Sequence, residues 1–186
     1  MEFVDVVEKR AAYRALEKVE ITDELIRDVA YLASRAPSCG NKQPWRFIFV
    51  KDEEKLTELH EALTGGNYWA KEASLLVAVF SEKELDCVIG EREYYLFGTG
   101  MATEQLMLAF VEKGFVAHAM AGFKEGLAKK ILNIPEEMRL ITLIAVGKKS
   151  ENLDKLGEKH QLAEKTRSVR KPFEEFAFFN EYDKPS

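Results

Sequence analysis

Ala36-Pro37-Ser38-Cys39-Gly40-Asn41-Lys42-Gln43-Pro44-Trp45 runs directly into Arg46-Phe47-Ile48-Phe49-Val50. The leading segment is built of small residues, prolines and side-chain amides; the trailing one is aromatic and β-branched. The junction therefore reads as a loop delivered into a strand. Just upstream, Thr22 with Asp23 and Glu24 has the composition of a capped helix start, and Leu25, Ile26, Val29, Ala30 and Ala33 recur on one face until Pro37 ends the helix. Such a loop carries many backbone N–H and C=O groups without repetitive partners and can cradle a polar, planar ligand. Further upstream, Arg10 and Arg14 stand four residues apart on what reads as one helix face, a spacing suited to an anionic group. A phosphorylated, ring-bearing ligand satisfies both features.

Downstream, Asp52 caps a predicted helix carrying Leu56, Leu59 and Leu63, which Thr64-Gly65-Gly66 stops. Residues 75–80 form an apolar run that reads as a buried strand. Residues 90–113 form the longest helical pattern, apolar almost all round at Phe97, Met101, Leu106, Leu108, Ala109 and Phe110, and therefore expected to be buried. Residues 115–120 and 140–146 are further strand candidates, separated by a short helix at 124–132. Helices and strands mix without strict alternation, so the fold class is α+β rather than a doubly wound parallel sheet. No linker or repeat divides residues 1–186, which read as one domain with an arm from about residue 150. That arm carries Phe173, Phe176, Phe178, Phe179 and Tyr182, an aromatic cluster too large to leave in water. It either folds back on its own core or reaches a second chain.

With 46% hydrophobic residues, the chain is long enough for one true core. A net charge of −5 argues against general nucleic-acid binding, so any basic site must be local. Cys39 and Cys87 give neither a disulfide framework nor paired metal-ligand spacing, no metal site is expected, and Met1-Glu2-Phe3-Val4-Asp5 lacks the marks of a leader. No apolar run approaches the roughly 20 residues that cross a bilayer. A soluble protein of a reducing cytoplasm is expected, with no nucleic-acid or membrane partner.

The pattern Arg10, Ala12, Arg14, the segment from Ala36 to Trp45, Glu104 on a long helix ending at Gly114, Met120-Ala121-Gly122-Phe123 and the basic run Arg167-Ser168-Val169-Arg170-Lys171-Pro172 follow one another in order. In these features the chain resembles the FMN-dependent nitroreductases over nearly its whole length. The resemblance implies a three-layer α+β fold with a mixed, mainly antiparallel sheet flanked by helices, in an intertwined homodimer whose terminal extensions wrap the partner. It implies bound FMN with NAD(P)H as co-substrate, and ping-pong two-electron reduction of a nitroaromatic, quinone or similar acceptor. No protein residue need act as catalyst, because flavin N5 carries the chemistry. Reductive dehalogenation, dehydrogenation and non-catalytic FMN binding are the alternatives on the same scaffold.

By the same resemblance, Arg10 and Arg170 clamp the phosphate, aided by Ser168 and Lys171, and Arg14 meets the charge that develops near flavin N1 and O2. Pro37, Ser38, Cys39, Asn41 and Gln43 touch the cofactor, often from the other subunit. Asn67 matches a ring-contacting position, and Met120, Ala121 and Gly122 match the segment whose backbone approaches N5. Ordinary turn chemistry is the competing account of Asn41 and Gln43. Ala12 departs from the family by lacking the hydroxyl that often binds phosphate, leaving only its backbone N–H. Cys39 stands where the family has Ser and reads as a small polar substitute. His60 reads as a surface residue, and Gly98-Thr99-Gly100 lies inside a helix and is no dinucleotide fingerprint.

Overall fold

A computed structural model describes residues 1–166 and 168–182. The elements in chain order are α1 (Phe3–Lys9), β1 (Leu16–Glu17), α2 (Asp23–Ser34), β2 (Arg46–Val50), α3 (Glu53–His60), β3 (Leu75–Ser81), β4 (Val88–Ile89), β5 (Arg92–Glu93), α4 (Tyr95–Glu112), β6 (Val116–Met120), α5 (Glu125–Leu132), β7 (Arg139–Lys149) and α6 (Glu158–Lys165). The helix starts obey their sequence signals: Thr22 Oγ1 accepts from Leu25 N at 3.1 Å, and an Asp52 carboxylate oxygen accepts from Lys55 N at 2.9 Å.

β7 is the spine. It pairs antiparallel with β3 along residues 139–146, with β6 along 143–147 and with β1 at 148–149, while β2 adds to the far side of β3. Every described pairing is antiparallel. All seven residues of β3 are buried, and strand alternation explains how: Leu75, Val77 and Val79 face α2 and α4 with Val29, Leu106 and Phe110, whereas Leu76, Ala78 and Phe80 face Leu56, Leu59, Trp69 and Ala128 on the other side. Helices therefore cover both faces, giving three layers and two half-cores.

Three details depart from the sequence reading. The predicted 90–113 helix begins only at Tyr95, because Val88–Ile89 and Arg92–Glu93 form a hairpin turning at Gly90, which has φ +63°. α4 buries eight of its eighteen residues, but Leu96 and Phe97 at its start and Gly100, Glu104 and Glu112 further on are exposed, so the expectation of a helix without a wet face fails. Cys39 and Cys87, expected to remain unpaired, are joined as a disulfide with Cα atoms 6.0 Å apart, a pairing that a separation of 48 residues does not reveal. The aromatic side chains of the arm touch one another, Phe173 with Phe176 at 6.0 Å and Phe178 with Tyr182 at 4.8 Å between ring centroids, yet Phe176, Phe179 and Tyr182 are exposed.

Leu143 lies on β7 with no exposed surface. Leu143→Ala is expected to lower stability by about 3 kcal/mol in urea unfolding, the range for a cavity in a core that cannot collapse; a loss under about 1 kcal/mol would show the spine is not so tightly packed.

Candidate functional site

The sequence places Arg10 and Arg14 on one helix face, but the structure does not. α1 ends at Lys9, Arg10 is its extended C-cap with ψ 115°, and residues 10–15 have no regular structure. Their backbone is taken up by distant partners instead. Arg14 N donates to Glu164 Oε1 at 2.7 Å, His118 Nδ1 lies 3.1 Å from the Tyr13 carbonyl, and Ser150 N donates to the Ala15 carbonyl at 2.9 Å. Each of these tertiary bonds would be lost if the helix continued, so context overrides local periodicity.

The consequence is a cavity of about 640 Å³ between the two chain ends. One wall is Arg10, Ala11, Ala12, Tyr13 and Arg14; the other is Ala163, Glu164, Lys165, Thr166, Ser168 and Arg170. The lining holds four cationic residues, Arg10, Arg14, Lys165 and Arg170, against one acidic residue, Glu164, and Thr166 and Ser168 add hydroxyls to a donor set matched to a phosphate-like anion. Ala12 lines this wall. Lys165 and Thr166 escaped the sequence reading, although they immediately precede the basic run. Lys171 is outside the lining and pairs with Glu175 at 3.4 Å. Arg167 lies outside the described residues.

Arg14 is braced on its other side. Its guanidinium carbon stands 6.0 Å from the Trp69 ring centroid, and Trp69 stacks on His118 at 4.5 Å. Burial, reinforced by the Arg14 and Arg10 charges and opposed by the Tyr13 carbonyl, lowers the His118 pKa to about 4. This imidazole is therefore neutral at pH 7 and positions Tyr13 rather than exchanging protons. Nearby, Tyr68 stacks on His160 at 5.5 Å, and its hydroxyl accepts from Gly157 N at 2.7 Å, fastening the start of α6. On α4, burial raises the Glu104 pKa while the Arg10 charge opposes that rise.

At the end of β6, the Gly122 carbonyl accepts from Thr64 Oγ1 and Asn67 Nδ2, both at 2.8 Å. A Cβ at Gly122 would fall 2.5 Å from Thr64 Oγ1 and 2.8 Å from Asn67 Nδ2, so only glycine fits. Asn67 thus holds this turn, Ala121 is exposed beside it, and the Met120 side chain is buried while its carbonyl accepts from Thr142 Oγ1 at 2.9 Å.

The 36–45 loop stands apart. Ser38 Oγ accepts from Gln43 N at 2.9 Å, Gln43 Nε2 donates to the Asn41 carbonyl at 3.3 Å, and Gly40, Asn41 and Gln43 all have left-handed backbone with φ 52° to 56°. Pro44 packs where a Cβ on Gly98 would come within 3.2 Å of it, so that glycine does permit close approach. Pro37, Ser38, Cys39, Asn41 and Gln43 are absent from the described lining of the cavity in the same chain. His60, expected at the surface, is half-buried, with burial lowering its pKa.

Comparison with known proteins meets this geometry. The sequence profile of the Nitroreductase family matches residues 7–97. A crystal structure of an oxidoreductase containing FMN superposes over 100% of this chain and 95% of its own, with a TM-score of 0.85 and 26% identity. The chain is thus similar to the nitroreductase family in sequence over its first half and to an FMN-containing oxidoreductase in fold. Its relatives are varied: it is 28% identical over 169 residues to an iodotyrosine deiodinase of Thermotoga neapolitana, covering 77% of this chain and 86% of that one. It is 27% identical over 180 residues to an NADH dehydrogenase of Thermus thermophilus, covering 77% and 84% respectively.

The neutral state of His118 makes stability pH-dependent. Because its folded pKa is about 4 against 6.5 unfolded, its contribution is complete above pH 6.5 and is lost as pH falls towards 4. The wild type is expected to lose about 3 kcal/mol more over that interval than His118→Phe, measured by urea unfolding at each pH; identical pH profiles would contradict the buried neutral imidazole.

Proposed function

We propose that this chain is a nitroreductase-family, FMN-dependent oxidoreductase that uses NAD(P)H to reduce small electron acceptors such as nitroaromatics or quinones. The carrying observation is the meeting of Arg10, Ala12 and Arg14 with Lys165, Thr166, Ser168 and Arg170 around one cavity. A cation-rich pocket with hydroxyl donors, walled by an arginine stacked on an indole, fits a phosphorylated ring system in charge and in chemistry. Its cationic surplus is what the flavin phosphate requires.

In this reading Arg10, Lys165 and Arg170 hold the phosphate, with Ser168, Thr166 and the Ala12 backbone N–H as further donors. Arg14, fixed by Glu164 at its backbone and by Trp69 at its guanidinium, presents positive charge to the electron-rich edge of the ring. The Gly122 turn, kept free of a side chain, lets backbone approach the cofactor, with Ala121 and Asn67 beside it. Bound FMN would supply the two-electron hydride chemistry, with the nicotinamide and the acceptor taking turns in a ping-pong cycle. Asn41 and Gln43 are exposed and Ser38 and Cys39 half-exposed; in this reading they meet the cofactor of a second chain, which is why a homodimer belongs to the proposal. Phe3, Val4, Leu96, Phe97, Phe176 and Phe179 supply exposed apolar surface for it, and the arm from about residue 150 reaches the partner. Among the described residues no helix is long and apolar enough to cross a membrane; reliance on NAD(P)H favours the cytoplasm.

Reductive dehalogenation is the second reading, favoured by the similarity to the Thermotoga neapolitana deiodinase. Steady-state turnover on nitro compounds, quinones and halogenated phenols separates the two.

Replacing Arg10 and Arg170 together by Ala is expected to weaken FMN binding by at least about a hundredfold, since each removes a charge-assisted contact. Equilibrium titration of the flavin-free protein measures it. Unchanged affinity would refute the phosphate clamp.

A further inference from the structure

Cys39 sits in the 36–45 loop and Cys87 just ahead of the β4–β5 hairpin, and the two are joined. We propose that this pair is a reversible thiol–disulfide site that fastens the middle of the loop to the rest of the domain. Opening of the loop would then depend on the surrounding thiol pool. The consequence for cofactor retention rests on the FMN reading, because Ser38, Asn41 and Gln43 belong to the same loop.

The loop's anchors are unevenly placed. Its end is well held: Ser81 Oγ donates to the Pro44 carbonyl at 2.8 Å, Arg46 Nη1 donates to the Gln43 and Trp45 carbonyls at 3.1 and 2.8 Å, and Trp45 is buried with Ala36 and Ala102. Its middle is not. The described hydrogen bonds of residues 38–42 close within the loop, from Asn41 N to Ser38 O, Lys42 N to Cys39 O, Gln43 N to Ser38 Oγ and Gln43 Nε2 to Asn41 O. Asn41 and Gln43 hold left-handed backbone, which asparagine tolerates but glutamine adopts only when its surroundings enforce it. The disulfide is the described link from this middle segment outward.

Cys87 provides the fixed end. Its N–H donates to Asp86 Oδ1 at 2.8 Å, its carbonyl accepts from Tyr94 N at 3.1 Å, and Asp86 is buried. Cys39 is therefore the half that moves. Both cysteines are half-exposed, so a small thiol can reach them.

A glutathione thiolate attacks one sulfur of the pair, forming a mixed disulfide and expelling the other cysteine as a thiolate, which takes a proton from water. A second glutathione thiolate attacks the glutathione sulfur of that mixed disulfide, glutathione disulfide leaves, and the remaining cysteine is protonated. Two electrons pass from two glutathione thiols to the cysteine pair; glutathione disulfide is the oxidant in reverse.

Cys39, Asp86 and Cys87 also place ligand atoms within 4.8 Å of one another, so the test must separate a disulfide from a thiolate-bound metal. Full-length flavin-free protein is equilibrated across glutathione to glutathione-disulfide ratios, then alkylated for intact mass, assayed for zinc and digested with trypsin. The expected result is no alkylation under oxidising ratios and two alkylated cysteines under reducing ones. Cleavage after exposed Lys42 should be about tenfold faster in the reduced form, and Cys87→Ser should cleave at the reduced rate in every mixture. Cysteines unjoined at every ratio, cleavage indifferent to redox state, or zinc guarding the thiols until chelation would each overturn the proposal. FMN release is read separately and is expected to be about tenfold faster from the reduced form. Equal release from both forms would overturn the coupling to the cofactor, whereas failure of both forms to bind FMN, with the thiol and protease results as expected, would sink the flavin reading and leave the switch standing.

Discussion

Three backbone groups in the stretch Tyr13–Arg14–Ala15 are claimed by residues more than a hundred positions away: His118 on β6, Glu164 on α6 and Ser150 just past β7. This capture keeps the chain after α1 from continuing as helix and turns the arginines toward the C-terminal arm. Without it, Arg10, Arg14, Lys165 and Arg170 would be scattered surface charges. With it, four cations surround one space, and the cost of holding like charges together is met by the surrounding fold, which leaves the site ready for an anion.

The captors are themselves secured by the sheet. β7 brings β6, and hence His118, to a fixed register, and the same strand ends where Ser150 meets Ala15. Trp69 fills the space between His118 and Arg14, so a buried indole links the half-core to the cavity wall. The Gly122 turn is held by Thr64 and Asn67, which follow α3 in the chain. The cofactor pocket proposed here is thus an outgrowth of the core's register, with few parts that depend on loop chemistry alone. The exception is the 36–45 loop, which in the proposed reading contributes across a second protomer.

Much of this was readable in the chain. The strand Arg46–Val50, the buried β3 and the Thr22 and Asp52 caps carry strong local signals, and the observed α+β layering with an antiparallel sheet agrees with the expected class. The pairing of N-terminal and C-terminal basic residues was legible through family resemblance, and the cavity brings Arg10, Ala12, Arg14, Ser168 and Arg170 to one place. What the sequence hid was tertiary. Helical spacing of Arg10 and Arg14 misled because long-range hydrogen bonds outweigh a short helix's propensity. The β4–β5 hairpin was swallowed by the apolar pattern of α4, and the nearness of Cys39 to Cys87 goes with the packing of Pro44 and Asp86 about Gly98, which no local pattern reveals. Burial of His60 follows from packing that its glutamate neighbours conceal.

The central claim is that two paired protomers hold a riboflavin phosphate between the chain ends of each. Native mass spectrometry of the purified protein after addition of FMN tests it most directly. The account predicts a species of two chains carrying two flavin mononucleotides; a single chain that retains no flavin would contradict it.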